Sequence, residues 1–363
     1  MKTMKLFLIH FKLMHLFLSI NFCSIIIYIY KMNFLKNFFG WNNNQAQDRP
    51  LFGMVIRNRT DQEPDNISLF ALPNNKIASI HDNCKIITII ESGNLQIKQD
   101  YIIKHLDTKQ QVPQLLINFA YFNNDKYLLG YYSKGDSFPI ANVAIGSFTN
   151  TEFTFEKIIQ NIFPIHGLLK AIPIGNNRIA CHNQYESIII YNCDSEDINT
   201  PIATLKGHRS NVSSIIKLKN KDILVSASLD YNFIIWNLST YQKESVIKGV
   251  ECSSSNSLLE LENGKVIVGG RLSIKIIDIT KRTIDIEIIN GKLGTLMSFC
   301  EMDNNTIICG CSEGMIWKLN PNTKEILKHN SIGAKFNVIH IIKINEKSFV
   351  TIVPYNTIKI FDI

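Results

Sequence analysis

The chain has 363 residues, of which 45% are hydrophobic and 19% are charged. This length suffices for one large domain or two ordinary ones, so a peptide-sized or disulfide-stapled scaffold is excluded, and the hydrophobic content excludes a disordered chain. The formal net charge is +7, but six of the 38 basic residues and one of the 31 acidic residues precede residue 50, which leaves +2 for the remainder. Binding to nucleic acid needs a dense basic stripe, and none follows residue 50, so we expect no nucleic-acid partner.

Residues 1–31 form a hydrophobic leader. Within it, residues 13–30 are an apolar stretch about as long as a marginal membrane span, interrupted by four polar residues. Three interpretations stay open: the leader is a membrane anchor, it is a cleaved signal peptide, or translation begins at Met32 and the leader is mis-assigned. No pair of small residues marks a cleavage site, and a membrane association is expected only through residues 1–31.

Residues 32–50 predict a short amphipathic segment followed by a linker. Four apolar residues recur there at helical spacing, namely Met32, Leu35, Phe38 and Phe39. Polar residues follow at positions 42–48. We expect this segment to pack on its own domain, because only Lys36 offers charge to lipid headgroups.

The remainder of the chain, residues 51–363, repeats one phrase: an apolar strand, a tight polar turn and a second apolar strand. Asn and Gly tolerate the positive φ angles that tight reversals need, so each turn predicts a hairpin. The seven turns are Pro73-Asn-Asn-Lys76, Asn123-Asn-Asp-Lys126, Gly175-Asn-Asn-Arg178, Lys219-Asn-Lys-Asp222, Glu262-Asn-Gly-Lys265, Asp303-Asn-Asn-Thr306 and Asn345-Glu-Lys-Ser348.

The spacing of the turns predicts a seven-bladed β-propeller. The first residues after the turns are Ile77, Tyr127, Ile179, Ile223, Val266, Ile307 and Phe349. Successive members lie 50, 52, 44, 43, 41 and 42 residues apart, close to the period of about 40 to 45 that a four-stranded blade requires.

A third strand follows in the repeat units, for example Ile188–Tyr191, Phe233–Trp236, Ile274–Ile277 and Ile358–Phe361. The density of β-branched residues without a helical period favours an all-β domain. The chain stops just after the third strand of the seventh unit, so that blade lacks an outer strand. We expect the isolated strand Leu51–Ile56 to pair beside Ile358–Phe361 and to close the ring.

One unit resembles a WD40 repeat. It contains Leu205-Lys-Gly-His-Arg-Ser-Asn-Val212, followed by Ile223-Leu-Val-Ser-Ala-Ser-Leu-Asp-Tyr-Asn-Phe-Ile-Ile-Trp-Asn237, with the Gly-His opening, the Ser-x-Ser-x-Asp middle and the Trp ending of that family. The resemblance implies a structural hydrogen-bond network of His208, Ser226 or Ser228, Asp230 and Trp236. The other units depart from this pattern, so we expect their blades to rely on apolar packing.

A stiff disk that displays short loops favours protein recognition, because a partner meets a preorganised surface. We expect a non-catalytic scaffold or adaptor: a monomeric propeller within a larger complex, whose partners are other proteins or peptides. In the family, partners bind loops that lead into the innermost strands and turns between second and third strands. Carried over to this chain, the partner-binding candidates are Arg209, Ser210, Tyr231, Tyr185, Glu186, Arg271, Glu313, Lys335, Phe336 and Tyr355. The alternatives are a membrane-anchored propeller scaffold and an enzymatic propeller with a site in its central channel.

No catalytic, metal or cofactor site is predicted. His208, Ser226 and Asp230 are the residue types of a nucleophilic triad, but no nucleophile elbow surrounds either serine. Positions expected at the mouth of the channel provide one histidine and no carboxylate cluster; they are Gln114, His166, Asn211, Ser257, Thr295 and Asn337. The chain's eight cysteines contain no C-x-x-C pair, which indicates buried thiols in a reducing compartment. We therefore expect a cytoplasmic protein, or a membrane-associated one if residues 1–31 are translated and retained.

Overall fold

The computed structural model describes residues 26–28, 55–57, 68–81, 86–91, 97–104, 113–133, 140–160, 162, 168–183, 185–303, 305–333, 336–353 and 357–363. Within these ranges, the regular elements are β-strands and one 3-10 turn at Ser312–Gly314. The prediction of an all-β domain is confirmed for these residues. No helix in the described part of the chain is long and apolar enough to cross a bilayer.

The first two strands, β1 (Ile26–Tyr28) and β2 (Val55–Arg57), form a small antiparallel sheet. Apart from β1, the leader 1–31 and the segment 32–50 lie outside the described residues. Seven antiparallel meanders follow, which we number from 1 to 7. Meander 1 contains β3 (Ser68–Leu72), β4 (Lys76–His81), β5 (Ile86–Glu91) and β6 (Ile97–Lys104). Meander 2 contains β7 (Pro113–Asn123), β8 (Lys126–Ser133), β9 (Ile140–Phe148) and β10 (Glu152–Ile159).

Meanders 3 to 6 are separate four-stranded sheets. Meander 3 contains β11 (Leu168–Gly175), β12 (Arg178–Asn183), β13 (Ser187–Asn192) and β14 (Ala203–Lys206). Meander 4 contains β15 (Val212–Lys217), β16 (Ile223–Ser228), β17 (Asn232–Asn237) and β18 (Gln242–Lys248). Meander 5 contains β19 (Leu258–Glu260), β20 (Val266–Gly269), β21 (Ser273–Asp278) and β22 (Thr283–Ile289). Meander 6 contains β23 (Leu296–Asp303), β24 (Thr306–Cys311), β25 (Met315–Asn320) and β26 (Glu325–Ser331). Meander 7 has three strands, β27 (Ile341–Asn345), β28 (Ser348–Val353) and β29 (Thr357–Asp362).

Each of the seven predicted turns joins the first and second strands of a meander. In the first five turns, residues adopt the positive φ angles that their chemistry predicts. Those with φ between 42° and 78° are Asn74, Asn75, Asn124, Asp125, Asn176, Asn177, Asn220 and Gly264.

The first strands of the meanders lie next to one another in a cycle. Strand β7 lies between β3 and β11, and the series continues through β15, β19 and β23 to β27, which lies next to β3. Apolar residues of neighbouring meanders fill the spaces between them; Leu69 and Ile77 of meander 1, for example, pack with Val350 and Ile358 of meander 7. A single meander could not bury both of its apolar faces without these neighbours.

Meanders 1 and 2 are joined, which the sequence did not predict. Their outermost strands form a short parallel ladder, with Glu152 opposite Ile102 and Thr154 opposite Lys104, so that the two meanders make one eight-stranded sheet. Each of these strands is the last of its meander and would otherwise be an edge strand. The parallel ladder gives hydrogen-bond partners to backbone groups that would lack them at an edge.

The expected closing strand is placed differently. Strand β2 covers Val55–Arg57 and lies next to β29, but its antiparallel ladder is with β1, and β29 is the third strand of a three-stranded sheet. The expected ladder between Leu51–Ile56 and Ile358–Phe361 is therefore not formed by the described residues, and residues 51–54 lie outside them. The ladder with β1 gives the backbone of β2 the hydrogen bonds that a strand edge requires.

Candidate docking face

Four side chains of meander 4 form one continuous hydrogen-bonded chain. His208 lies in the segment before β15, Ser226 on β16, Asp230 in the turn after β16, and Trp236 on β17. The Nδ1 atom of His208 lies 3.1 Å from Oδ2 of Asp230, and its Nε2 atom lies 2.7 Å from Oγ of Ser226. The indole Nε1–H of Trp236 donates to the same Ser226 oxygen over 2.8 Å. The structure thus brings together the four residues of the expected network and selects Ser226 over Ser228.

The protonation states of His208 and Asp230 determine which atoms donate and which accept in this network. Burial lowers the pKa of His208 and outweighs the opposing effect of Asp230, so the imidazole is neutral at neutral pH. Burial alone would raise the pKa of Asp230, but backbone N–H groups of Arg209 and Asn232 donate to the carboxylate and give a net lowering. The neutral tautomer that fits donates from Nδ1 to Asp230 and accepts at Nε2 from the Ser226 hydroxyl.

The hydrogen-bonded network connects Asp230, His208 and Ser226 as a catalytic triad does, but a substrate could not reach the Ser226 hydroxyl. Ser226 has 0% relative exposure, and one lone pair of its oxygen accepts the indole N–H. A nucleophile must be able to reach a substrate atom at about 3 Å. The arrangement therefore holds the polypeptide together and offers no approach to a reacting group.

The network ties a loop to a turn. Besides the His208 contact, the backbone N–H of Arg209 donates to Oδ2 of Asp230 over 2.7 Å. The hydroxyl of Ser228 donates to the carbonyl of Ser210 over 3.0 Å. These bonds hold the segment before β15 against the turn after β16, while the side chains of Arg209 and Tyr231 stay exposed.

Turns and loops of neighbouring meanders meet at one end of the strands. The backbone N–H of Val212 donates to the carbonyl of Tyr185, in the turn between β12 and β13, over 2.7 Å. Two meanders further on, Leu272 in the turn after β20 donates to the carbonyl of Gly294, just before β23, over 2.9 Å. The expected partner-binding residues that the structure describes lie on turns and loops at this end.

Exposed apolar side chains gather at this end. Tyr231 is 56% exposed, and Tyr185 and Phe336 are exposed as well. Two exposed neighbours were not predicted, Leu229 beside Tyr231 and Ile339 beyond Phe336. An apolar residue two or three positions from a predicted partner-binding residue is the signal that could have found them. Lys335 and Tyr355 lie outside the described residues.

We name this surface the docking face and define it by the exposed or half-buried residues Tyr185, Glu186, Arg209, Ser210, Leu229, Tyr231, Arg271, Glu313, Phe336 and Ile339. Its charges are mixed, two arginines and two glutamates. Arg271 is oriented by its backbone N–H, which donates to Oε2 of Glu251 over 3.0 Å.

Three turns of the docking face share an unusual backbone conformation. Tyr231, Leu272 and Glu313 have φ angles of 61°, 61° and 60°, and each follows the second strand of its meander at a spacing of 41 residues. A non-glycine residue in this region is uncommon and is retained where its surroundings determine it. The repeated geometry fixes the direction in which these three side chains leave the surface.

A second set of residues, which sequence reasoning missed, lies at equivalent positions on or next to the first strands. Counting nine residues back from the first residue after each turn gives a polar side chain in every meander. We name these residues the polar ring: Ser68, Asn118, Lys170, Ser214, Ser257, Ser298 and His340. Ser257 was considered as a residue at the mouth of the channel, and His166 lies outside the described residues.

Members of the polar ring connect neighbouring meanders. Asn118 exchanges two hydrogen bonds with the backbone of Ala171 in the next meander, at 2.7 and 3.0 Å. Ser214 donates to the carbonyl of Ser255 over 2.7 Å, and Ser298 donates to that of Val338 over 2.6 Å. A β-bulge precedes the ring residue in meanders 2, 3, 4 and 6, which turns its side chain toward the neighbour.

No family model and no curated protein matches the chain. Among the described residues, no group of three or more His, Cys, Asp and Glu side chains could hold a metal ion. The six described cysteines are free thiols with buried side chains: Cys181, Cys193, Cys252, Cys300, Cys309 and Cys311.

Two tryptophans in the described part of the chain, Trp236 and Trp317, are buried and allow a direct measurement of the network's indole bond. Trp236 donates to Ser226, whereas the Nε1 atom of Trp317 is buried without a hydrogen-bond partner among the described residues. We expect Trp236→Phe to lower the free energy of unfolding by about 1–2 kcal/mol more than Trp317→Phe, because only the first change removes a satisfied bond. Urea denaturation of the two variants measures the difference, and equal losses would contradict it.

Proposed function

We propose that residues 68–362 form a seven-bladed propeller of the WD40 type. Seven consecutive meanders, the cycle of adjacent first strands and the hydrogen-bonded chain from His208 to Trp236 support this proposal. The turns between third and fourth strands add a further repeat, since Tyr241, Arg282 and Lys324 have φ angles of 57°, 60° and 61° at equivalent positions.

We infer that the protein is a non-catalytic interaction scaffold that binds a protein or peptide at the docking face. The observation that carries this inference is the set of exposed apolar side chains on turns and loops at one end of the strands, namely Tyr185, Leu229, Tyr231, Phe336 and Ile339. Hydrogen bonds fix the backbone of several of these loops. Aromatic and arginine side chains supply most of the binding energy at protein interfaces. A preorganised surface loses little entropy when it binds, so a few such side chains suffice.

Arg209 and Tyr231 are the expected anchors. The backbone N–H of Arg209 donates to the Asp230 carboxylate, and Tyr231 follows Asp230 in the sequence. Asp230 therefore holds the two segments together, and both side chains are exposed. The neighbouring Leu229 is 53% exposed and extends the apolar contact area. A partner that covers an exposed leucine and tyrosine on a fixed turn removes their apolar surface from water, and this favours binding.

The experiment is quantitative affinity purification from extracts of the source cells. We expect the double variant Arg209→Ala with Tyr231→Ala to lose specific partners by about tenfold or more, since truncation of an anchor typically costs 2 kcal/mol or more. The matched control is Tyr121→Ala with Lys221→Ala, which removes an exposed tyrosine and an exposed cation near the turns at the opposite end of the first strands. Equal recovery of partners by both double variants would contradict the assignment of the docking face.

A further inference from the structure

Lys170 of the polar ring is a cation among neutral partners. Its Nζ atom donates to the carbonyl of Ser255 over 3.0 Å and lies 3.4 Å from Oδ1 of Asn256. Both partners belong to meander 5, so the lysine of meander 3 reaches past meander 4. Within the described part of the chain, Lys170 forms no ion pair with a carboxylate.

Two titratable groups that interact with Lys170, Cys252 and His340, are neutral at neutral pH. Burial raises the pKa of the Cys252 thiol to about 11. Burial and then the Lys170 charge lower the pKa of His340 to about 4. The carboxylate of Glu251, in the same loop as Cys252, is held by the backbone N–H of Arg271. Neither Cys252 nor His340 supplies a negative charge, and Glu251 forms no ion pair with the lysine, whose pKa is lowered by burial to about 8.

Several meanders contribute to the surroundings of this cation. The Nδ2 atom of Asn256 donates to the carbonyl of Ile339 in a long bond of 3.4 Å, which links meander 5 to the segment before β27. The ring of His340 packs edge-on against Phe70 of meander 1, with centroids 5.7 Å apart. Lys170 is half-buried, so its ammonium group is partly withdrawn from water while one side stays accessible. A partly desolvated charge without a counter-charge is costly, and an anion at hydrogen-bond distance would offset part of that cost.

The position of Lys170 relates it to the docking face. The polar ring lies near the beginning of the first strands, and the beginning of β15 is bonded to Tyr185 of the docking face. Ile339, which accepts the bond from Asn256, is itself a residue of that face. An acidic group on a partner docked at this face would therefore approach Lys170 from the same end of the first strands.

We propose that Lys170 binds one carboxylate group of the docked protein or peptide, with Asn256 and His340 as neutral polar neighbours. This inference rests on the proposed docking function and names the chemistry of the partner. One lysine balances one negative charge, which matches a carboxylate. A phosphate monoester carries about 1.5 to 2 negative charges at pH 7 and would be left partly uncompensated.

The first test uses acetate as the probe and chloride at equal ionic strength as the reference. A bound carboxylate stabilises the ammonium form, so acetate should lower the rate of trace acylation of Lys170 at pH 7.5 by about threefold or more, in a saturable manner. The exposed Lys221 in the same sample serves as the internal control and should be unaffected. An unchanged rate at Lys170 would overturn the proposal, and a stronger effect of inorganic phosphate than of acetate would replace the carboxylate by a phosphate group.

The second test compares variants in thermal unfolding. Acetate should raise the melting temperature of the wild-type protein and of Lys221→Met more than that of Lys170→Met, because the last variant lacks the cation. Equal shifts in all three proteins would overturn the proposal. If Lys170→Met does not fold, the acylation measurement on wild-type protein decides. Acetate binding together with unchanged partner recovery by the Arg209 and Tyr231 variant would refute the docking function alone, whereas lost recovery without acetate binding would refute this inference alone.

Discussion

Replacing Asp230 by alanine is expected to lower the free energy of unfolding by about 3 kcal/mol. The carboxylate accepts bonds from the backbone N–H groups of Arg209 and Asn232 and from the imidazole of His208. Alanine removes all three acceptor contacts, and the imidazole is buried, so its Nδ1–H loses its partner without access to bulk water. Hydrogen bonds to a charged group are worth about 1.5–3 kcal/mol each, and part of this is recovered by water at the exposed backbone of Arg209.

Guanidinium chloride denaturation measures this loss, with Asp285→Ala as the control. Asp285 forms an ion pair with Lys265 at 2.5 Å, and both side chains are about one-third exposed to solvent. An exposed pair contributes about 0–1 kcal/mol, so the control should change stability little. A loss for Asp230→Ala no larger than the control's would show that the network does not hold the loop.

The same network gives the protein a defined response to acid. The folded-state pKa of His208 lies below its ordinary value of 6.5, so the unfolded chain takes up this proton first as the pH falls. The folded-state pKa of Asp230 lies below its ordinary value of 3.8, with the same consequence at lower pH. Both groups therefore contribute stability near neutral pH that is lost progressively as the pH falls below about 6.5.

The hairpin turns could be predicted from the sequence because their chemistry is local. Asn74, Asn124 and Asn176 sit in reversals that need positive φ, and asparagine is among the few residues that tolerate it. The four network residues could also be predicted, since the unit that contains them retains the residue types that bond to one another. The parallel ladder between β6 and β10 could not be predicted, because it depends on how two separate meanders are placed.

Lys170 was missed for a physical reason. A register shift between Pro173 and Gly175 lies between the turn and Lys170, so counting by twos from the turn assigns residues of β11 to the wrong face. Exposure on the docking face was equally hard to predict, because Leu229 is apolar and its exposure is set by neighbouring loops. The repeat period was the better guide, since it places Lys170 in register with Asn118 and Ser214.

The contact between meanders 6 and 7 leads to the second large effect. Gly310 on β24 lies where the segment before β27 crosses the sheet. An added Cβ atom would lie 2.6 Å from Oγ of Ser298, 2.6 Å from Cγ1 of Val338 and 2.7 Å from the Val338 carbonyl oxygen. These distances are well below van der Waals contact, and the carbonyl oxygen belongs to backbone that cannot rotate away.

We expect Gly310→Ala to lower the free energy of unfolding by about 2–3 kcal/mol, because overpacking forces the two meanders apart. The same shift would break the bond from Ser298 to Val338 and so remove one link of the polar ring. Gly291→Ala is the matched control, since nothing lies within 4 Å of its added Cβ atom; restricting the unfolded chain there should be neutral or stabilise slightly. Denaturation together with hydrogen exchange in β27 to β29 separates the two cases. If Gly310→Ala and Gly291→Ala behaved alike, meander 7 would not pack tightly on meander 6, and the cycle of first strands that supports the propeller would lose one of its contacts.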